Sequence, residues 1–145
     1  MAVQQSRNYY VRTAVSHYPD REEHKETVQA LLPIGTDVAK RDAQNRAPLY
    51  HASLMSLTEV MKLLLANGAD INAVSRYGMT PLHCAVTHGE VEVAHLLLEN
   101  GADTTLRDLN GHTPAMLARE GDHEYLVCLL EVVEKVKILI AERKY

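Results

Sequence analysis

Apolar positions in the middle of the chain fall into two clusters with helical spacing. Leu82, Ala85 and Val86 form the first, which Gly89 interrupts, and Val91, Val93, Ala94, Leu96, Leu97 and Leu98 form the second, which stops at Gly101. Residues three and four apart share one face of a helix, so this pattern predicts two short helices, each with one buried side. Thr80 before Pro81 marks where the first begins. A threonine hydroxyl can accept from a free N–H of the first turn, and proline, with its fixed φ and no N–H, fits the first helical position. Gly101 predicts a left-handed stop for the second helix. Residues 104–112 are mostly polar and contain Asn110-Gly111, a turn signal, so the chain is expected to reverse tightly before Thr113 opens another helix.

The same features return with a fixed period. Ala47-Pro48-Leu49, Thr80-Pro81-Leu82 and Thr113-Pro114-Ala115 lie 33 residues apart. Gly35-Thr36-Asp37, Gly68-Ala69-Asp70 and Gly101-Ala102-Asp103 keep that spacing, as do Leu63-Leu64-Leu65 and Leu96-Leu97-Leu98. Several independent features in one register define a repeat. A two-helix unit cannot bury its apolar side alone, so the units must stack, each stabilised by its nearest neighbours.

Gly78-Met79-Thr80-Pro81-Leu82-His83, Gly89 and the run from Leu96-Leu97-Leu98 through Glu99-Asn100-Gly101-Ala102-Asp103 resemble the ankyrin repeat. The resemblance implies an all-α solenoid of stacked helix–loop–helix units joined by β-hairpin loops, and a role in protein binding rather than catalysis. On this reading residues 1–145 are one domain. Residues 1–39 form a degenerate N-terminal cap repeat, 40–72 and 73–105 are full repeats, 106–130 is the last repeat and 131–145 a C-terminal helical extension. Ala47 replaces the capping Thr, Asn45 the turn Gly, Tyr50-His51 departs from the Leu-His order, and Ser56 replaces the inter-helix Gly. The repeat at 40–72 is therefore the weakest. Asn tolerates a left-handed conformation, whereas the missing hydroxyl costs about 1 kcal/mol. In the last repeat Gly121 stands one place early and is followed by Asp122, so a different inter-helix loop is expected.

Pro19 would break a first helix placed in strict register, so that helix is expected to be displaced to residues 6–17, burying Tyr10, Val11 and Ala14. Asp20-Arg21-Glu22-Glu23 reads as a capping box for a second, ending near Leu32. After Leu130 no Gly stops the chain; Val133, Val136 or Lys137, and Ile140 extend the stripe of Leu126, Leu129 and Leu130, predicting a long last helix that caps the stack.

Composition narrows the function classes. The 145 residues carry 15 Lys and Arg against 19 Asp and Glu, a net charge of −4, which argues against a generally basic nucleic-acid binder. There is no Trp or Phe, so Leu, Val, Ala and Ile must fill the core. No apolar run approaches the roughly 18 residues of a membrane span and no leader pattern is present. Cys84 and Cys128 are too few for a disulfide framework, which favours a reducing cytosolic or nuclear location. Both are expected to be small core hydrophobes.

Cys84 and His88 stand four apart on one helix, but zinc needs three or four ligands, so no metal and no cofactor is expected. No phosphate loop, nucleophile elbow or paired-carboxylate signature is present, and an enzyme is not expected. By the resemblance, His83 bonds within its turn and to the capping Thr. Leucines at 126, 129 and 130 with Val133 match a nuclear export pattern and equally the needs of a buried helix. The segment ending at Asn72 resembles a hairpin whose Asn is hydroxylated in some animal ankyrin repeats, although Asn is also the usual family residue there.

In the ankyrin family the hairpin fingers and the open side of the first helices form a concave face. The matching positions are Arg41, Gln44, Arg46, Leu54, Met55, Arg76, Tyr77, Met79, Thr87, His88, Arg107, Leu109, Asn110, His112 and Arg119. Four of the nine arginines lie in the hairpins, whereas Glu59, Glu90, Glu92, Glu99 and Glu124 belong to the second helices or their approaches. A basic, partly apolar groove is expected, suited to a protein with an acidic and partly apolar surface. The reading is a monomeric adaptor or inhibitor with no chemistry of its own. Its rivals are a substrate-recruiting subunit acting through the C-terminal helix, a fragment of a longer array, or nucleic-acid binding by the groove.

Overall fold

A computed structural model of the protein describes residues 38–39 and 41–143. The helices expected over residues 6–17 and 20–32 lie outside these. The described chain forms three helix pairs: α1 (Pro48–Leu54) with α2 (Thr58–Ala66), α3 (Pro81–Thr87) with α4 (Val91–Glu99), and α5 (Pro114–Glu120) with α6 (Glu124–Arg143). Each short helix opens on a proline at the position where its missing N–H costs nothing. Thr80 and Thr113 cap α3 and α5 by accepting from the N–H of His83 and Met116, while Ala47 offers α1 no such bond. Ala47→Thr is accordingly expected to raise stability by up to about 1 kcal/mol, seen as a higher urea midpoint at unchanged slope.

The turn from each short helix to its partner needs one left-handed residue, supplied by Ser56 (φ 56), Gly89 (φ 67) and Asp122 (φ 56). Asp122, not Gly121, therefore holds the position of Gly89, and the last repeat keeps the same loop; the expectation that it differs is overturned. His123 N–H donates to the Ala118 carbonyl at 2.9 Å as Glu90 N–H does to Ala85. A polar residue can take this conformation at small cost because Asp tolerates left-handed backbone.

Inner helices α1, α3 and α5 pack in succession, and outer helices α2, α4 and α6 touch less extensively behind them. The core repeats the 33-residue register: Ala52, Ala85 and Ala118 are buried between inner helices, and Leu64, Leu97 and Leu130 behind them. Small residues in the first set let the inner helices approach closely.

Between pairs the chain runs out into a finger and back. The fingers are closed by N–H donation from Asp42 to Arg46, Ser75 to Met79 and Asp108 to His112, at 3.1, 2.9 and 3.0 Å. Neighbouring fingers are tied by one backbone bond each, Arg76 N–H to the Gln44 carbonyl and Leu109 N–H to the Tyr77 carbonyl. One bond per junction makes no ladder, and no strand forms among the described residues, so the expected β-hairpins are present here as hydrogen-bonded turns.

The last helix does run on to Arg143, but it does not cap the stack as expected. Leu126 and Leu130 are buried, whereas Val136 and Ile140 are exposed. Cys128 is also exposed, not a core residue, while Cys84 is buried. The repeat register accounts for this, because Cys128 falls where Lys62 and His95 stand in the preceding units, on the outer side of the second helix. Among the described residues no helix is long and apolar enough to cross a membrane.

Candidate protein-interaction surface

The finger tips present, one unit after another, Ala43-Gln44, Arg76-Tyr77 and Leu109-Asn110. Their outward direction follows from the turn chemistry. Asp42 accepts at Oδ1 from the N–H groups of Gln44 and Arg46, and Asp108 accepts from Asn110 and His112, so each finger folds around one carboxylate. Ser75 does the same for Tyr77 more weakly, at 3.3 Å. Partial burial would raise the Asp42 carboxyl, but the Arg46 N–H, the His51 ring and the Arg46 guanidinium outweigh it and hold the group below the usual carboxylate value.

Tyr77 and Leu109 are the most exposed apolar side chains of the fingers, at 60% and 74%. Gln44, Arg76, Asn110 and Arg107 are exposed beside them, while Arg41, Arg46, Met79 and His112 are half-buried. On the adjoining edge of the inner helices Leu54, Thr87 and His88 are exposed and Met55 is half-buried. Thr87 and His88 also serve their own helix, donating to the carbonyls of His83 and Cys84 at 2.8 and 2.9 Å.

The finger arginines are held in different ways. Arg41 and Arg107 reach back to carbonyls of their own fingers, Asn45 and Gly111, at 3.0 and 2.8 Å. Arg46 pairs with Asp42 at 3.0 Å and also donates to Gln44. These three guanidiniums brace turns. Among the described residues, Arg76 is the finger arginine whose guanidinium makes no hydrogen bond or ion pair. His112 stands 3.1 Å from the Glu120 carboxylate and 3.7 Å from Asp108, so the third finger carries acid as well as base. Glu120 was not among the sequence-derived positions, yet it lies in register with Leu54 and Thr87, a signal that would have found it. Glu59, Glu92 and Glu99 do lie on the second helices.

Arg119 belongs elsewhere. Its register partners, Ser53 and Val86, are buried between repeats. In the last unit that position opens onto the end of the stack, where Arg119 pairs with Glu131 at 2.9 Å. It borders an open cavity of about 320 Å³ together with Asp122, His123, Val127 and Cys128.

These units are bound to one another by a side chain as well as by backbone. His83 accepts at Nδ1 from the Thr80 N–H at 3.2 Å, which leaves Nε2–H to donate to the His112 carbonyl of the next finger at 2.9 Å. The match to a family model for ankyrin repeats, in three copies, spans residues 13–108. The chain belongs to the ankyrin-repeat family. A comparison with curated proteins found no match.

Several ankyrin positions are thereby explained as framework. Cys84 is buried and its thiol is pushed up to about 11 by that burial, so it stays protonated. Burial, followed by the neighbouring Cys84, pushes the Tyr50 hydroxyl up to about 12. Among the described residues no three His, Cys, Asp or Glu side chains converge as a metal set. Asn72 is half-buried, and its Oδ1 accepts from the Asp103 N–H of the next ankyrin repeat at 2.9 Å.

Proposed function

We propose that this protein is a small ankyrin-repeat adaptor or inhibitor that holds a partly acidic, partly apolar protein along the concave side formed by its fingers and inner helices, without chemistry of its own, in the cytosol or nucleus. Ankyrin repeats bind other proteins. The observation that carries the narrower reading is the centre of the finger row, where the exposed Tyr77 ring and an unpaired Arg76 guanidinium stand next to the exposed Leu109. Aromatic and Arg side chains at the middle of a contact patch supply most of the binding energy. Closer packing of the inner helices than of the outer ones supports curvature toward the finger side. Asp42 offsets the charge of Arg46, whereas Arg41 and Arg107, bonded to neutral carbonyls, keep theirs, so Arg76 acts with these two cations beside the apolar anchors.

A partner captured from the native host is to be titrated against folded variants. Tyr77→Ala or Arg76→Glu is expected to weaken binding by about 1 to 2 kcal/mol or more with the melting temperature nearly unchanged, because these side chains lie outside the helix stack. Glu92→Lys, on the outer helices, is expected to have little effect. The reverse order of sensitivities would move the interface to the outer face, and an affinity that collapses with salt on any nucleic-acid sequence would indicate phosphate binding instead.

A further inference from the structure

The apolar surface of helix α6 is only partly covered by the stack. Leu126 and Leu130 point into the stack and are buried. Continuing from Leu130 at helical spacing along that same side come Glu134, Lys137 and Ala141, which are exposed and mostly charged. Beyond half-buried Val133, the stack side of residues 131–143 is therefore largely polar. Beside that side, with half-buried Val133 at the junction, an exposed stripe turned by about a third of a revolution carries Val132, Val136, Leu139 and Ile140. Val136, Leu139 and Ile140 are 47%, 60% and 55% exposed. A lone helical stretch of this length is marginal in water, and four exposed apolar residues along one side would be stabilised by a covering partner.

We propose that this stripe pairs with the same stripe of a second copy of the chain, in antiparallel orientation, making the protein a dimer where a monomer was expected. The charges at the stripe's edge select this occupant. Lys135 and Glu142 lie one heptad apart on the same flank. With Val136 opposite the partner's Leu139, antiparallel pairing sets Lys135 against the partner's Glu142 and, by the two-fold symmetry, Glu142 against the partner's Lys135. The other flank then meets Val133 with the partner's Ile140. Parallel pairing would place Lys135 beside the apolar Ile140 and bring both ankyrin stacks to the same end. A lipid surface is disfavoured, because Glu131, Glu134 and Glu142 lie on the polar side of the helix, which is therefore not a basic face. Two helices of this length bury less than the roughly 1,200 Å² of a standard interface, so the dimer dissociates on dilution.

Sedimentation equilibrium of the full chain tests this. The wild type is expected to show a monomer–dimer equilibrium, and Val136→Glu to be monomeric with unchanged thermal unfolding of the dilute protein. Lys135→Glu should raise the dimer dissociation constant by about tenfold through two like-charge contacts, and the double variant Lys135→Glu with Glu142→Lys should restore it. A wild type that stays monomeric up to about 0.5 mM overturns the proposal and leaves the stripe to a different protein. So does a dimer insensitive to Val136→Glu, and failure of the charge swap to restore pairing overturns the antiparallel register.

Discussion

Replacing Leu97 by Ala is expected to lower the free energy of unfolding by about 2–5 kcal/mol, measured by urea denaturation. Leu97 is fully buried on α4 within the continuous core that includes Leu64 and Leu130, its counterparts in the units on either side. Truncation removes the transfer energy of the lost atoms and leaves a cavity that flanking helices cannot close without moving their own contacts. Because repeats are stabilised chiefly at their junctions, a defect in the central unit weakens two interfaces at once. Against a typical domain stability of about 5–15 kcal/mol, that loss is large enough to broaden or split the transition, as the outer units lose the neighbour that cooperates with them. A single transition at an unchanged midpoint would contradict the packing described above.

His83→Ala is expected to cost about 2–4 kcal/mol for a different reason. The ring is fully buried, and its two nitrogens satisfy the Thr80 N–H within its own unit and the His112 carbonyl in the next. Alanine leaves the Thr80 N–H without a partner, takes one of two donors from the His112 carbonyl, which keeps the Asp108 N–H, and opens a void. The imidazole also makes the effect depend on pH. Burial lowers the His83 pKa below the ordinary value of about 6.5, outweighing the His112 carbonyl and the Asp108 carboxylate that favour the charged form. Between the unfolded value and the lower folded one, the unfolded chain takes up the proton and the folded chain does not, so stability falls as pH falls through that window. The contribution is fully present above about pH 6.5, and the gap between wild type and His83→Ala is expected to narrow on acidification below it. A gap that widened in acid would show that His83 is protonated in the folded protein.

Much of the architecture was legible because it depends on residues close together in the chain. Proline after threonine starts α3 and α5, left-handed backbone falls at Asn45 as turn chemistry requires, and the 33-residue register places the core leucines. Asp122 is legible from the same register, since it aligns with Gly89. The partners of the finger arginines were not legible, because they depend on where the turn brings backbone carbonyls, which composition does not encode.

By itself, then, the sequence determined the repeat, the helices, their caps and the side of each helix that must be buried, since local hydrogen bonding and apolar spacing act within a few residues. Only the tertiary structure decided what covers each buried side. Arg119 looks like a groove residue until the described units are seen to leave that face of α5 open, and the apolar half of α6 reads as a cap until Val136 and Ile140 are found exposed. His83 acquires its second bond only when the next finger arrives 29 residues later. Burial belongs to the assembled array, because an apolar position is covered only where a neighbouring unit or chain lies against it.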